Sequence, residues 1–290
     1  MDEGEHMESL QKINDSIAFI ENNLASHLSI EEAAKIACMS RFHFQRMFQI
    51  LTGFTVAEYI RKRRLTLAAQ ELIHSNVRVL DIALKYGYES PESFSKAFRK
   101  AHGISPIEVR HSGKTVKAFP KLSFQIQLKG EEEMNYKIIQ KEAFHVVGKG
   151  IRVSMENNNK KIPLFWKESN ENGFTEKLAQ QAGEMGILGV CAEGNQQKNE
   201  FTYYIAVEKT TDKISPDLEV KEIPASTWAV FESVGPMPHA IQHVWKRIFS
   251  EWFPATGYEH APAPEIEVYP EGDAYSEDYR AEIWIPVIKK

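Results

Sequence analysis

The sequence predicts two domains, an all-α tandem helix-turn-helix N-terminal domain and an α+β C-terminal domain built from two β-α-β-β halves. Its 290 residues, 42% of them hydrophobic and 26% charged, suit two ordinary globular domains. Residues 8–112 carry helical periodicity, whereas apolar and polar residues alternate with a period of two after Gly113. We therefore expect a helical domain over 8–112, a linker over 113–120 and a second domain over 121–290, with the boundary near Ser112–Ala118.

Composition excludes several classes of protein. No apolar stretch approaches the ~18–20 residues that cross a bilayer, and the acidic segment Met1–Glu5 lacks the apolar core of a secretory signal. Cys38 and Cys191 lie far apart and supply neither a disulfide framework nor a metal ligand set. We expect a cytoplasmic protein with no membrane partner, no metal and no cofactor.

The net charge of −5 argues weakly against nucleic acid as a partner when the chain is taken as a whole. Residues 9–113 nevertheless carry +4, and residues 114–290 carry −5. Random surface variation accounts equally well for so mild an asymmetry. Only the placement of the charges decides, and that placement follows from the helices.

Helix caps and an amphipathic face organise the N-terminal half. Capping boxes at Ser29–Glu32 and Thr55–Glu58 predict two helix starts, and the second opens a long helix to about Ile73. An apolar helical face precedes both boxes, and three glycines serve as turns or C-caps. The apolar face is Ile13, Ile17, Ile20 and Leu24, and the glycines are Gly53, Gly87 and Gly103.

An internal repeat runs through the helical half. Ala34–Cys38 recurs as Ala83–Gly87 after 49 residues, and Phe44–Gly53 recurs as Phe94–Gly103 after 50 residues. Each copy is a helix, a tight turn and a second helix, which is the helix-turn-helix arrangement. The turn residue must tolerate a positive φ, which costs Cys38 about 1 kcal/mol relative to glycine.

The second helix of each copy has a polar outward face that suits DNA. Arg pairs with guanine and Gln with adenine in the major groove, and a linking helix about 28 Å long could set two such helices one duplex turn apart. A single solvated helix face is commonplace, but two in tandem favour DNA binding. The candidates for base edges are Arg41, Phe42, Gln45, Arg46, Gln49, Glu92, Ser93 and Lys96. The candidates for phosphates are Arg61, Arg63, Arg64, Arg99 and Lys100.

Residues 9–111 resemble the DNA-binding domain of AraC/XylS-type transcriptional regulators. The resemblance implies base reading by Phe42, Gln45 and Arg46 from the first helix, with Glu92, Ser93 and Lys96 at the matching outward positions of the second. Cys38 departs from the glycine usual in the first turn, and Glu92 can only accept a hydrogen bond. The matching stretches are Leu28–Ala34, Ser40–Phe48, Thr52–Gly53, Tyr59–Leu65, Asp81–Ala83, Gly87–Tyr88, Phe94–Lys100 and Gly103–Pro106.

The C-terminal half alternates strands with two helices. The order of its predicted elements fits two successive β-α-β-β units, preceded by a half-buried strand over Leu122–Leu128. His239 and His243 could share a metal, but without a third ligand in register we interpret them as a surface pair. The strand-like runs are Tyr136–Val153, Ile187–Ala192, Phe201–Val207, Val220–Val234, Ile266–Tyr269 and Ala281–Ile288, and the helices are about Ile162–Ala182 and Pro238–Phe253.

The last strand carries a candidate ligand site. Glu282 and Trp284 share one face, and Ala281, Ile283, Ile285 and Val287 share the other, which we expect to pack on helices. A desolvated carboxylate with aromatic walls attracts a lipophilic cation. Ordinary core packing and a surface ion pair remain the alternative for these residues. The further aromatic candidates are Trp228 and Phe231 on one strand, Tyr203 and Tyr204 on another, and Trp245 on the second predicted helix. Strand alternation allows only one member of each strand pair to face the cleft.

Residues 121–290 resemble the GyrI-like effector-binding domain. The resemblance implies two β-α-β-β halves facing each other across an aromatic groove, a glutamate (here Glu282) pointing into it, and hydrophobic, often cationic, small-molecule ligands. Some relatives are hydrolases. The matching stretches are Ile223–Phe231, Gly235–Pro236, Ile248–Pro254, Pro264–Tyr269 and Glu282–Val287.

Together these features predict a transcriptional regulator and not an enzyme. Its expected partners are double-stranded DNA, a small hydrophobic and cationic effector, and RNA polymerase. Two alternatives stay open for the C-terminal domain: a hydrolase, and a protein-interaction or polymerase-docking module. The sequence leaves monomer and dimer equally open.

Overall fold

A computed structural model describes residues 3–26, 28–110, 115–123, 133–192, 200–211 and 214–289. The chain divides into a helical unit, Met7–Gln125, and a sheet unit, Ile126–Lys290 together with Met1–His6. Residues 124–128 of the strand predicted over Leu122–Leu128 lie outside the described part of the chain. No helix in the described ranges is both long and apolar enough to cross a bilayer.

The N-terminal half is all helical, as the sequence predicts. Its longest internal helix, α4, begins after the Thr55–Glu58 capping box, in which the Thr55 side chain accepts from Glu58 N and Glu58 accepts from Thr55 N. The helices are α1 Glu3–Asn22, α2 Ile30–Ile36, α3 Arg41–Thr52, α4 Val56–His74, α5 Val79–Lys85 and α6 Pro91–His102, followed by a 3₁₀ turn at Glu108–Arg110.

Two helix-turn-helix copies, α2–α3 and α5–α6, confirm the predicted repeat. Cys38 and Gly87 occupy the same place in the two turns, with φ of 55° and 78°. The residue after each turn donates its N–H to the alanine carbonyl five residues earlier, Met39 to Ala34 and Tyr88 to Ala83, both at 2.9 Å. Cys38 therefore adopts the left-handed backbone that its position in the repeat demands.

Paired phenylalanines form the centre of each copy. Phe44 and Phe48 of α3 are fully buried with ring centroids 6.2 Å apart, and Phe94 and Phe98 of α6 are fully buried at 5.4 Å. α4 lies between the copies and contributes buried side chains to the second core. Those side chains are Leu65, Ala68, Ala69 and Leu72.

The segment predicted as a linker packs on the helical unit instead. The Phe119 ring contacts Phe54 at 5.5 Å and Tyr59 at 6.0 Å, and its N–H donates to Thr66 Oγ1 at 3.0 Å. Leu122 N donates to the Tyr59 hydroxyl at 3.1 Å. Phe119 and Leu122 therefore pack within the helical unit, through contacts with Phe54 and α4 that composition does not reveal, and the domain bounds 8–112 and 121–290 stay predictions.

The sheet unit is one antiparallel sheet with helices packed on it. Its strand order is β1-β6-β9-β8-β3-β4-β2-β5, with β7 paired to β9, so that β3 and β8 join the two predicted β-α-β-β halves. The strands are β1 Tyr136–Lys141, β2 Phe144–Ser154, β3 Ile187–Ala192, β4 Glu200–Glu208, β5 Glu219–Ile223, β6 Ser226–Val234, β7 Tyr258–His260, β8 Glu265–Tyr269 and β9 Arg280–Lys289.

The helices of the sheet unit differ from their predicted spans. The first predicted helix divides at Gly173, whose φ is +72°, into α7 Asn158–Glu171 and α8 Phe174–Ala179. The second begins as α9 His239–Arg247 and passes through a π-helical turn at Ile248–Trp252 into the short α10 Phe253–Ala255. Glycine with a positive φ ends regular helix geometry, which accounts for the first division.

Strand register assigns every side chain of the sheet to one of two faces. Gly189, Glu267, Ile283 and Phe231 lie side by side across β3, β8, β9 and β6. Trp166 of α7 and Trp245 of α9 hydrogen-bond to residues of this set or its strand neighbours, so we name it the helix-covered face. The residues between them in sequence form the opposite face.

Candidate DNA-binding helices and candidate effector site

α3 carries five of the residues predicted to read DNA bases. Its first turn is capped by Ser40, whose side chain accepts from His43 N at 3.2 Å. Phe44 and Phe48 point into the core. The helical period places Phe42, Arg46 and Gln49 on the other side, with Arg41 and Gln45 on its flanks. In the structure, however, Gln45 and Arg46 are buried, with 3% and 9% of their surface exposed, so the predicted outward face is not observed for these two residues. Arg41, Phe42 and Gln49 are half-buried.

α6 repeats this arrangement with different chemistry. Ser90 caps it by accepting from Ser93 N at 3.2 Å, and Pro91 occupies its first turn. Glu92, Ser93 and Lys96, the remaining base-reading candidates, are exposed. Three of the five phosphate candidates are exposed as well, namely Arg61, Arg99 and Lys100.

The contacts of the other two phosphate candidates, Arg63 and Arg64, contradict the prediction that they bind phosphate. Arg63 forms a bidentate ion pair with Glu21 at 2.7 and 2.8 Å, and the two side chains are nearly buried. Arg64 Nε donates to Leu24 O at 2.8 Å. Both guanidinium groups fasten α4 to the end of α1, because the face of α4 that bears them turns inward. We no longer assign either residue to phosphate.

Four of the six residues predicted for one effector groove lie on the opposite face of the sheet. Glu282 is paired with Lys137 Nζ at 3.0 Å and accepts from Trp284 Nε1 at 2.7 Å. Trp284 packs against Trp228 with ring centroids 5.9 Å apart. Tyr204 donates its hydroxyl to Glu219 at 3.3 Å. Glu282 thus already has a cationic partner within the protein.

The remaining two, Tyr203 and Phe231, lie on the helix-covered face, so the structure does not bring the six residues into one site. Phe231 belongs to an aromatic cluster, 4.9 Å from the Trp252 ring and 5.9 Å from the Tyr136 ring. Tyr203 is fully buried and hydrogen-bonds to a different glutamate, Glu267 of β8.

Glu267 is the centre of a hydrogen-bonded cluster on the helix-covered face. Its Oε2 accepts from the hydroxyls of Tyr203 at 3.0 Å and Tyr269 at 3.1 Å, and its Oε1 accepts from Trp245 Nε1 at 2.8 Å. Trp166 Nε1 donates to the Tyr203 hydroxyl at 2.9 Å, and its ring meets Tyr269 edge-on at 5.2 Å. We name these five residues the Glu267 cluster.

The two halves of the sheet unit contribute matching parts to this cluster. Trp166 and Trp245 occur in equivalent stretches, Ile162–Lys167 and Ile241–Lys246, each with an isoleucine four residues before a Trp-Lys pair. Gly189 of β3 pairs directly with Glu267 of β8. A Cβ on Gly189 would lie 2.3 Å from the Tyr203 hydroxyl and 3.0 Å from Glu267 Oε2, so only glycine leaves room for their hydrogen bond.

All three hydrogen-bond donors to Glu267 are neutral. Burial, followed by the nearby Glu267 carboxylate, raises the pKa of Tyr203 and of Tyr269 well above the ordinary tyrosine value. Both hydroxyls therefore stay protonated as donors at neutral pH. Within the described residues, no basic side chain pairs with Glu267. The cluster thus holds a partly buried carboxylate without a protein cation beside it.

The sequence predictions missed Glu267, Tyr269 and Trp166, and they named Trp245 only as a further aromatic candidate beside Glu282. The signal was nonetheless present in β8, where Glu265, Glu267 and Tyr269 alternate with the apolar Ile266 and Val268. Two carboxylates and a tyrosine on one face of a central strand indicate a buried polar site. The matching tryptophans of the two helices, 79 residues apart, were a second signal.

Comparison with known proteins identifies both units. The GyrI-like small molecule binding domain matches residues 134–288, more than half of the chain, and this protein belongs to that family. A helix-turn-helix domain family matches residues 33–112. The chain is thus an AraC-type DNA-binding transcriptional regulator that carries a GyrI-like small-molecule-binding domain.

The most similar curated proteins match the helical unit. The transcriptional activator AarP of Providencia stuartii is 43% identical over 34% of this chain and 74% of its own length. The regulatory protein SoxS of Escherichia coli K12 is 40% identical over 34% of this chain and 92% of its own. The sheet unit matches a solved structure of SAV2435 bound to tetraphenylphosphonium, 28% identical over 53% of this chain and 94% of that chain, with a TM-score of 0.47.

Proposed function

We propose that this regulator senses a lipophilic cation, which binds at the Glu267 cluster and changes how the helical unit acts on a promoter. The observation that carries the proposal is the Glu267 carboxylate itself. It is held by three neutral donors, one of them Tyr269, whose ring contacts Trp166, and it has no cationic side chain among its described contacts. Glu282, the glutamate favoured by sequence, is instead paired with Lys137.

A ligand cation would complete this arrangement. Removing a carboxylate from water is costly unless a positive charge or several hydrogen bonds compensate. The three donors supply the hydrogen bonds, and a bound cation would supply the charge. The faces of tryptophan and tyrosine attract cations through their ring quadrupoles, which adds to the attraction of the carboxylate. A neutral molecule of the same shape would gain only the apolar contact.

Ligand titration of the full chain tests the site. Tetraphenylphosphonium is the cationic probe and triphenylphosphine oxide the neutral one, followed by calorimetry. We expect Glu267→Gln to weaken binding of the cationic probe by about tenfold or more, since one buried charge contact is lost. The affinity for the neutral probe should change little. Glu282→Gln is the matched control, because it removes a carboxylate that Lys137 already neutralises. A larger loss in Glu282→Gln than in Glu267→Gln would return the site to the opposite face.

We further propose that the helical unit reads bases with α3 and α6 and contacts phosphates through Arg61, Arg99 and Lys100. Duplexes selected by the wild-type protein from a random library supply the operator. We expect Arg46→Ala and Gln45→Ala to weaken binding and relax discrimination by about 1–3 kcal/mol per lost base contact. Lys100→Ala is the control, and it should weaken all duplexes alike and lower the salt dependence by about one charge. Unchanged selectivity in both α3 variants would remove α3 from base reading.

We propose that the ligand leaves the sheet unit chemically unchanged and that the effect reaches RNA polymerase through DNA-bound protein. The relatives of the helical unit are transcriptional regulators, which supports this interpretation over a hydrolase. Coupling requires the ligand to bind two states of the protein unequally. Promoter transcription with and without tetraphenylphosphonium tests the coupling, and recovery of an altered compound after incubation would favour the hydrolase.

A further inference from the structure

The hydrogen bonds of Glu267 leave few acceptor positions for a ligand. An ionised carboxylate offers about four lone-pair positions, two on each oxygen. Tyr203 and Tyr269 both donate to Oε2, and Trp245 donates to Oε1. Counting the bonds from the described residues, both positions on Oε2 are filled and one position on Oε1 is left for another donor.

The direction of the Tyr203 bond is fixed by its neighbour. The Trp166 indole N–H can only donate, and it donates to the Tyr203 hydroxyl at 2.9 Å. The single hydroxyl proton of Tyr203 must then point to Glu267. If the Tyr203 hydroxyl flipped, it would lose both the bond to Glu267 and the bond from Trp166. Trp166 therefore stabilises the Tyr203 hydrogen bond to Oε2. In the part of the chain that the structure describes, no indole donates to the Tyr269 hydroxyl, so the direction of its bond to Glu267 is not fixed in this way.

We infer that the Glu267 cluster selects cations without N–H donors, quaternary ammonium or phosphonium, over guanidinium and primary ammonium, and that the Tyr269 hydroxyl is a specificity-determining group. A guanidinium fork needs one free acceptor on each carboxylate oxygen, and Oε2 has none. A primary ammonium brings three donors to one free position, and buried donors without acceptors are penalised. A quaternary cation needs no acceptor and keeps the attraction of the charge and the rings. This inference rests on the proposed function.

Two probes with the same aromatic group test the inference on the full chain. Biphenylmethyl-trimethylammonium lacks N–H donors, and biphenylmethylguanidinium presents a planar fork. We expect wild-type protein to bind the quaternary probe about tenfold or more tighter, the size of one lost charge-assisted hydrogen bond. Tyr269→Phe frees a position on Oε2, and the ratio of the two dissociation constants should shift about tenfold toward the guanidinium.

Tyr279→Phe is the matched control. Its hydroxyl is also in the sheet unit but donates to Pro270 O at 2.8 Å instead of Glu267, so the ratio should stay at the wild-type value. Trp166→Phe is a second variant, which unlocks the Tyr203 hydroxyl and should shift the ratio in the same direction by a smaller factor. It keeps the inference testable if Tyr269→Phe does not fold.

The outcomes separate the inference from the proposed function. Equal binding of the two probes by wild-type protein overturns the inference, as does an unchanged ratio in a folded Tyr269→Phe or Trp166→Phe variant. If Glu267→Gln still weakens the quaternary probe in those cases, the proposed function stands without the specificity. Failure of wild-type protein to bind either probe, or binding unaffected by Glu267→Gln, overturns the proposed function and the inference together.

Discussion

The two helix-turn-helix copies share their inward side and differ on their outward side. Both bury two phenylalanines and both close their turn with a positive φ, at Cys38 and Gly87. The outward positions of α2 are the charged Glu31 and Lys35, whereas the equivalent positions of α5, 49 residues later, are leucines with 40% and 55% of their surface exposed. The two copies therefore agree in their buried phenylalanines and differ in charge and apolarity at positions outside that core.

The recognition helices diverge in the same way. The α3 residues Gln45 and Arg46 correspond to Ser95 and Lys96 of α6, 50 residues later. Gln and Arg can each form bidentate bonds to a base, whereas serine forms a single bond and lysine acts as a flexible point charge. The same backbone therefore carries side chains of different hydrogen-bonding capacity, and the proposed base reading by α3 rests on Gln45 and Arg46, which are buried in the structure.

The largest expected effect comes from removing a buried phenylalanine ring that the two copies share. Phe44→Ala and Phe94→Ala remove equivalent, fully buried rings, and each should lower the free energy of unfolding by about 3–5 kcal/mol. Urea unfolding of the full chain, followed by far-ultraviolet circular dichroism, measures both. A loss below about 1 kcal/mol at one site would show that this copy relaxes around the cavity and that the two cores are not equivalent.

Substituting the turn residue should change the free energy of unfolding in opposite directions in the two copies. Gly87→Ala forces an alanine to a φ of 78° and sets its Cβ 2.6 Å from Arg64 Nη1, which we expect to cost about 1–2 kcal/mol. Cys38→Gly removes left-handed strain and should stabilise by up to about 1 kcal/mol, less the entropy that glycine gains when unfolded. Urea midpoints report both changes. Stabilisation by Gly87→Ala would contradict the account of this turn.

The helix caps should respond alike. Ser40→Ala and Ser90→Ala each remove a side-chain acceptor for a backbone N–H at the start of α3 or α6, and each should cost about 1 kcal/mol. Ser40→Asp and Ser90→Asp restore an acceptor and serve as controls in the same unfolding assay. A loss that the aspartate variants do not recover would point to a contribution other than capping.

The smallest expected effect is on the pH dependence of stability, to which only the second copy contributes a histidine at the last position of its second helix. His102 of α6 donates Nε2–H to Leu65 O at 3.1 Å, whereas the equivalent residue of α3 is Thr52. Burial lowers the pKa of His102 in the folded protein, so the unfolded chain takes up its proton first as pH falls. This contribution to stability is complete above the ordinary histidine pKa of about 6.5 and is lost as pH falls through the folded pKa.

His102→Gln should flatten part of the decline in stability on acidification. Glutamine keeps a donor for Leu65 O but cannot titrate, and all other histidines are common to both proteins. Urea midpoints of the two proteins across this pH range give the difference. Parallel pH profiles would show that His102 is not the titrating group.

Much of the fold was predictable because it depends on local patterns. Capping residues, apolar periodicity and the repeat located α2 through α6 and the left-handed Cys38, and strand alternation separated Glu282 from Ile283. The packing of Phe119 and Leu122 was not predictable, because their partners Phe54, Tyr59 and Thr66, on α4 and just before it, are far away in sequence.

The candidate effector site was likewise predictable only in part from local sequence patterns. The sequence by itself determined that the sheet unit contains carboxylates alternating with apolar residues on strands rich in tyrosine and tryptophan. Only the tertiary structure decided which of these carboxylates pairs with a basic side chain among the described residues and which does not. Lys137 of β1 pairs with Glu282, whereas Glu267 meets Tyr203 of β4 and Trp245 of α9. Such partners are chosen by strand order and helix packing, which bring together residues that no local pattern connects.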